Sequence, residues 1–173
     1  ADRIILGPTP VGTWVHHALL PGKRILFFAA GTGFAPFPSL LCEPQTYEEY
    51  DEVIITHTCR EAGELQYGHD LIEALKDDEL LNDVIGDGFW KKIKDYPTTT
   101  REKSPKMGRI TDLMRKGEAF EDLGVAPINP QDDRAMVCGN LAFNLEIKAM
   151  LEDYGLEEGA NSKPAQYVVE KAF

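Results

Sequence analysis

The chain has 173 residues, of which 43% are hydrophobic and 27% charged, the balance of one globular domain with a core of its own. Its formal net charge of −11 argues against nucleic acid or an anionic membrane surface as the main partner. No apolar run reaches the length of a membrane span, and no signal peptide is evident. The three cysteines, Cys42, Cys59 and Cys138, form no CxxC, so neither a zinc site nor a protein-held iron–sulfur cluster is expected, and a reducing cytoplasm fits best.

Taken in order, residues 1–22 do not read as the start of a compact domain. Arg3-Ile4-Ile5-Leu6 predicts a short strand and Gly7-Pro8-Thr9-Pro10 a turn, and Pro21-Gly22 punctuates the chain. A lone strand cannot pair its edges, so the segment reads as the end of a preceding unit. A simple amino-terminal arm is the alternative. From Lys23 strands and helices alternate. Strands are predicted over Ile25–Ala29, Glu52–Thr58, Lys91–Thr100, Arg134–Cys138 and Gln166–Glu170. Helices are predicted over Ala35–Cys42, Ala62–Lys76, Thr111–Lys116 and Asn140–Tyr154, with Thr111 and Asp112 as cap residues of the third. This alternation implies an α/β fold: a doubly wound, mostly parallel five-stranded sheet with helices on both faces.

The most informative stretch is Arg24 to Pro36, RILFFAAGTGFAP. A buried-strand pattern ends in Gly31-Thr32-Gly33, and Ala35-Pro36 opens a helix. Strand, glycine turn and helix start is how such folds build an anion site, from glycines that admit a phosphate and N–H groups aimed at it. The loop is not GxGxxG, because Pro36 stands where the third glycine would be, and a plain structural turn fits the same residues.

Ligands of doubly wound sheets bind at the carboxyl ends of the strands. Four predicted strand exits share that edge: Gly31–Gly33, Cys59-Arg60, Thr100-Arg101 and Cys138-Gly139-Asn140. Arg60 and Arg101, with Arg109 in Gly108-Arg109-Ile110, suit the 2′-phosphate of NADP, since a guanidinium fork matches phosphate geometry. Each alone also reads as a surface arginine paired to a carboxylate, with Glu61 and Glu102 adjacent in sequence. Gly139 permits close approach of a flat ring, Asn140 is a candidate helix cap, and Cys138 is equally a core cysteine. Spacing assigns the terminal residues Tyr167, Glu170, Ala172 and Phe173 no more than a closing strand.

Several motifs together resemble ferredoxin–NADP(+) reductases of the bacterial type. They are Val11-Gly12-Thr13, LLPGKR at 19–24, GTGFAPF at 31–37, YPTTTRE at 96–102, MGRITDLM at 107–114, PINPQDDRAMVCGN at 127–140 and YVVEKAF at 167–173. The resemblance implies the NADP-binding domain over 23–173, preceded in 1–22 by the last strand and exit loop of an FAD-binding antiparallel barrel. It also implies hydride transfer from NADPH to the flavin N5, followed by single electrons to ferredoxin or flavodoxin. Gly31, Thr32 and Gly33 would hold the NADP diphosphate and nicotinamide side, with Pro36 also cofactor-binding, and Arg60, Arg101 and Arg109 the 2′-phosphate. Cys138 would face the nicotinamide–flavin contact, with Glu170 near it, and Gly139 and Asn140 would be cofactor-binding. Thr13 matches a residue touching the flavin diphosphate. Ala172, followed by Phe173, matches the residue that covers the flavin ring.

Two departures accompany the resemblance. Related tails run a few residues past the Ala-Phe pair, and the arginine–tyrosine–serine flavin motif of the barrel is missing from the sequence. The chain alone is therefore expected to hold FAD poorly and to be inactive, and to be a monomer. Its acidity sits awkwardly with an acidic ferredoxin, unless the docking surface lies on the barrel. Two other functions remain open: an NADH-dependent flavin reductase or oxygenase-reductase domain, and a nucleotide-binding regulatory module without redox chemistry.

Overall fold

The structure is a computed structural model that describes residues 16–171, the last of them in backbone only. The expected strand over 3–6, Thr13, Ala172 and Phe173 lie outside these residues. Five strands form one sheet: β1 (Arg24–Ala30), β2 (Glu52–Cys59), β3 (Ile93–Thr99), β4 (Asp133–Gly139) and β5 (Tyr167–Lys171). Their order is β3-β2-β1-β4-β5, and every neighbouring pair is parallel, where the sequence suggested a mostly parallel sheet. The order reverses between β2-β1 and β1-β4, so the switch point lies at the end of β1.

The central strand explains the two-faced core. Along β1 alternate side chains point to opposite faces. Ile25, Phe27 and Ala29 join one buried cluster with Phe34, Phe37, Leu41 and Ile72. Leu26 and Phe28 join a second cluster with Ile110, Met114, Ile147 and Leu151. Both faces are therefore apolar, which is why RILFFAA reads as a continuous run. Each fully buried phenylalanine contributes about 1.5–3 kcal/mol by removal from water.

Seven α-helices link the strands among the described residues. On the first face lie α1 (Phe37–Leu41), α2 (Pro44–Glu49), α3 (Gln66–Lys76) and α4 (Glu79–Ile85); on the second, α5 (Ile110–Arg115), α6 (Glu118–Leu123) and α7 (Leu141–Asp153). The expected helix over 35–42 is shorter, because Gly31–Phe34 is a 3-10 turn and α1 starts only at Phe37. The helix expected over 62–76 likewise opens as a 3-10 turn at Ala62–Leu65. Thr111 and Asp112 do not cap α5: Arg109 stands at its cap position with no side-chain cap bond, and Thr111 is buried inside the helix. β3 spans Ile93–Thr99 rather than 91–100, since Phe89–Lys92 forms a 3-10 turn. Pro97 fits in β3 because that strand is at the sheet edge.

At the amino ends of the strands two buried arginines pin the framework. Arg24 donates from Nε to Asp133 Oδ1 at 2.7 Å and from Nη2 to Oδ2 at 2.5 Å, a bidentate pair. It also donates to the carbonyls of Ala126 and Pro127, and Asp133 Oδ2 accepts from the Asn129 amide. Arg134 donates from Nε to the Leu20 carbonyl at 2.8 Å and from Nη2 to that of Pro21. Gly22 is required beside it, because a Cβ there would stand 2.7 Å from Arg134 Cγ. Leu20 itself donates to the Ala165 carbonyl at 2.9 Å, so the segment entering β1 is fastened to the chain leading into β5.

Candidate functional site

A cleft of about 550 Å³ opens over the carboxyl ends of the strands. It gathers Gly31 and Thr32 after β1, Arg60 after β2, Thr100 and Arg101 after β3, Arg109 at the start of α5 and Asn140 after β4. Five chain segments remote in sequence therefore meet at the edge the βα pattern predicts. Gly33, Pro36, Cys138, Gly139 and Glu170 do not line this cleft.

The glycines of the first loop have different physical reasons. Gly31 has φ of +52°, a backbone region that favours glycine, and a Cβ there would meet nothing within 4 Å. Its Cβ position is thus open space at the cleft wall, room that a ligand can use. Gly33 packs instead against the end of β4: a Cβ would lie 2.2 Å from the carbonyl oxygen of Cys138. Gly139 is likewise demanded by packing, because a Cβ would come within 2.5 Å of the Phe143 ring and 3.1 Å of Ala30 Cβ. Close approach in this region is first of all protein against protein. Asn140 fills its cap role, accepting from the Phe143 amide at 3.0 Å.

Arg60 and Arg101 are held by their backbones. The Arg101 and Glu102 amides donate to the Arg60 carbonyl at 3.0 and 3.1 Å, and the Thr100 amide donates to Cys59 at 3.0 Å. Thr99 Oγ1 ties the β3 exit by donating to the Glu102 carbonyl at 2.6 Å. The neighbouring carboxylates are engaged elsewhere. Glu61 and Glu64 form a capping box, in which Glu64 accepts from the Arg60 and Glu61 amides at 2.8 and 3.1 Å. Those amide bonds, Glu61 first, hold the Glu64 carboxyl below its ordinary range, with Arg60 and Arg101 adding to the effect. Glu102 accepts from the Ala62 amide at 2.7 Å. Among the described residues neither Arg60 nor Arg101 forms an ion pair, whereas Arg109 is salt-bridged to Glu146 of α7.

Beneath the loop sits His57, which sequence reasoning missed. It is buried, stacks on Phe34 with ring centroids 4.5 Å apart, and donates from Nε2 to the Gly31 carbonyl at 3.0 Å. Cys59 Sγ lies 3.2 Å from the same nitrogen. Burial lowers the imidazole pKa and raises the Cys59 thiol to about 11. A polar residue at an inward position of a core strand, THTC at 56–59, is the signal that could have drawn attention to it.

Cys138 and Glu170 are direct register partners on β4 and β5. Cys138 is buried, and burial, helped by Glu170, pushes its thiol up to about 11. Asn144 of α7 donates from Nδ2 to the Glu170 carbonyl at 2.8 Å. Thus the structure brings these two residues together, beside the main cleft. All three cysteines are free. Among the described residues no helix is long and apolar enough to cross a membrane, and no His, Cys, Asp and Glu cluster could hold a metal.

The sheet order, the switch point and the cleft above it define a doubly wound α/β domain of the dinucleotide-binding class. The fold is similar to that of a ferredoxin NADP+ reductase from Neisseria gonorrhoeae solved with FAD and NADP bound, with a TM-score of 0.78 and 25% identity, over 94% of this chain and 61% of that one. No family model matches the chain. It is 59% identical over 172 residues to a flavodoxin/ferredoxin–NADP reductase of Rhodobacter capsulatus and 42% identical over 173 residues to a ferredoxin–NADP reductase of Pseudomonas aeruginosa. Along nearly its whole length the chain is similar to ferredoxin–NADP reductases. It spans 62% and 66% of the length of those two relatives, and 99% of the chain is matched in each.

Proposed function

We propose that this chain forms the NADP(H)-binding half of a flavoprotein reductase that passes electrons between NADPH and ferredoxin or flavodoxin. The observation that carries the reading is the pair Arg60 and Arg101. Both stand at one cleft edge on exits braced by backbone bonds, and their neighbouring carboxylates are engaged by amides. Two guanidinium groups without an ion pair among the described residues suit a phosphate dianion. The residues also fit the rest of the nucleotide: Gly31 leaves its Cβ position open for a diphosphate, and Thr32 lines the same wall.

The nicotinamide supplies hydride chemistry when bound, and the flavin isoalloxazine supplies the change from two-electron to one-electron transfer. The protein's contribution is binding, orientation and exclusion of water. Arg60, Arg101 and Arg109 anchor the adenosine end. Gly31 and Thr32 set the path of the diphosphate. Cys138, neutral at physiological pH, and Glu170 flank the reaction end and exclude solvent there. Residues 1–22 join this domain to an FAD-binding barrel, on which an acidic ferredoxin docks. A reducing cytoplasm and a monomeric state complete the reading.

Calorimetric titration of the full-length protein with 2′-phospho-AMP and with AMP tests it. The phosphorylated ligand should bind at least tenfold more tightly, and Arg60→Ala or Arg101→Ala should remove most of that margin, as expected for charge-assisted bonds of about 1.5–3 kcal/mol. Equal binding of the two ligands would instead favour an NADH-dependent flavin or oxygenase reductase.

A further inference from the structure

The three arginines of the cleft are not equivalent. Arg60 and Arg101 project from braced turns, and Glu64, an acid of the same cleft, is held by two backbone amides. Arg109 differs: its guanidinium is paired to Glu146, a residue of α7 that also lines the cleft. Both side chains are accessible, at 62% and 40% relative exposure, so the pair can open without repacking the core. A carboxylate that neutralises one arginine of a phosphate site opposes a bound 2′-phosphate twice. It must release Arg109, and it then repels the incoming dianion. The same carboxylate is a good acceptor for a free ribose 2′-hydroxyl, the chemistry by which acidic residues favour the unphosphorylated cofactor.

We infer that Glu146 is a specificity-determining residue that narrows the preference for 2′-phosphorylated nucleotide, acting through Arg109. The inference rests on the phosphate role proposed above for the cleft. An internal control exists seven residues along the same helix. Asp153 of α7 pairs with Arg115 of α5 at 3.0 Å, an exposed ion pair of the same kind outside the cleft.

The test is calorimetric titration of full-length wild type, Glu146→Gln, Asp153→Asn, Arg109→Ala and the Arg109→Ala/Glu146→Gln double variant, with 2′-phospho-AMP and AMP. Glu146→Gln should tighten 2′-phospho-AMP by about three- to tenfold, the scale of one exposed ion pair plus one screened repulsion, and leave AMP equal or weaker. Asp153→Asn should leave the ratio of the two affinities unchanged, and the gain from Glu146→Gln should at least halve when Arg109 is absent. The inference is overturned if Glu146→Gln leaves the ratio unchanged, if Asp153→Asn raises it equally, or if the gain survives in full without Arg109. A wild type with no preference for 2′-phospho-AMP would overturn the phosphate reading itself, and this inference with it. A clear wild-type preference that Glu146→Gln does not change overturns the inference alone.

Discussion

His57 donates from Nε2 to the carbonyl of Gly31 at 3.0 Å, so a residue of β2 fixes the loop that leaves β1. That bond requires a proton on Nε2, and burial, which lowers the imidazole pKa, favours the neutral Nε2–H tautomer as its carrier. His57→Phe keeps a ring to stack on Phe34 but removes the donor. It should weaken NADP+ binding by about three- to tenfold, the worth of one hydrogen bond of about 1 kcal/mol. Binding of 2′-phospho-AMP, which has no diphosphate, should change far less. Calorimetry with both ligands checks this, and an equal loss for both would show that His57 acts on the domain at large.

Gly31 and Gly33 should respond differently to alanine. Gly33→Ala places a Cβ 2.2 Å from a backbone oxygen that cannot swing away, and it should cost roughly 2–4 kcal/mol of stability by overpacking. Gly31→Ala meets no atom and costs only the left-handed backbone, about 1–2 kcal/mol. It should fold, yet bind NADP+ poorly, since its methyl occupies the ligand's space. Urea unfolding and NADP+ titration of both variants separate the two effects.

Asp95 of β3 gives a pH signature. Burial raises its pKa to about 6 against the ordinary 3.8, with His69 and Lys106 opposing the rise. Between these values the folded state holds a proton that the unfolded state has released, so stability falls as pH rises through the window. Above pH 6 the full cost is present. Asp95→Asn removes it and should be more stable than wild type at pH 7.5, by at most about 2–3 kcal/mol. The gap should shrink towards pH 4. Urea denaturation at pH 7.5 and 4.5 measures it, and an equal gap at both values would refute the assignment.

The Arg24–Asp133 pair is buried, with side-chain exposures of 10% and 1%. Asp133→Ala removes the bidentate partner of Arg24, leaving it Glu52 at 3.7 Å and two carbonyls, and frees the Asn129 amide, so it should cost about 2–4 kcal/mol, below the full cost of an unpaired buried charge. Because the pair sits at the amino ends of the strands, nucleotide affinity of the protein that still folds should be unchanged. A thermal melt with and without NADP+ reports both quantities.

Much of this architecture was legible because the strands carry strong signals. RILFFAA and DRAMVCG are apolar on both faces, so the chain spells out a covered parallel sheet, and strand exits then predict which residues share an edge. That Arg60 and Arg101 line one cleft was legible for that reason, with Arg109 following shortly after in sequence. Less visible were reasons that depend on contacts distant in sequence. The packing against Gly33 and Gly139, by the Cys138 carbonyl and the Phe143 ring, is one such reason. The short helices α2, α4 and α6 have six or seven residues each, too few for a helical period to show. Glu146 carries no mark in sequence, because its meaning comes from an arginine 37 positions away.

The position of β1 between β2 and β4 shapes how the polypeptide is made. Its first partner follows at once, but the Arg24–Asp133 contact bridges 109 positions. On the ribosome, ILFFAA therefore emerges with one hydrogen-bonding edge satisfied and the other bare while the chain from Cys59 to Gly139 is synthesised. An open, uncharged strand edge is a template for pairing with another nascent chain. Slow elongation across that interval lengthens the exposure. Yield in the cell is thus expected to depend on the arrival of β4 as well as on the stability of the finished fold.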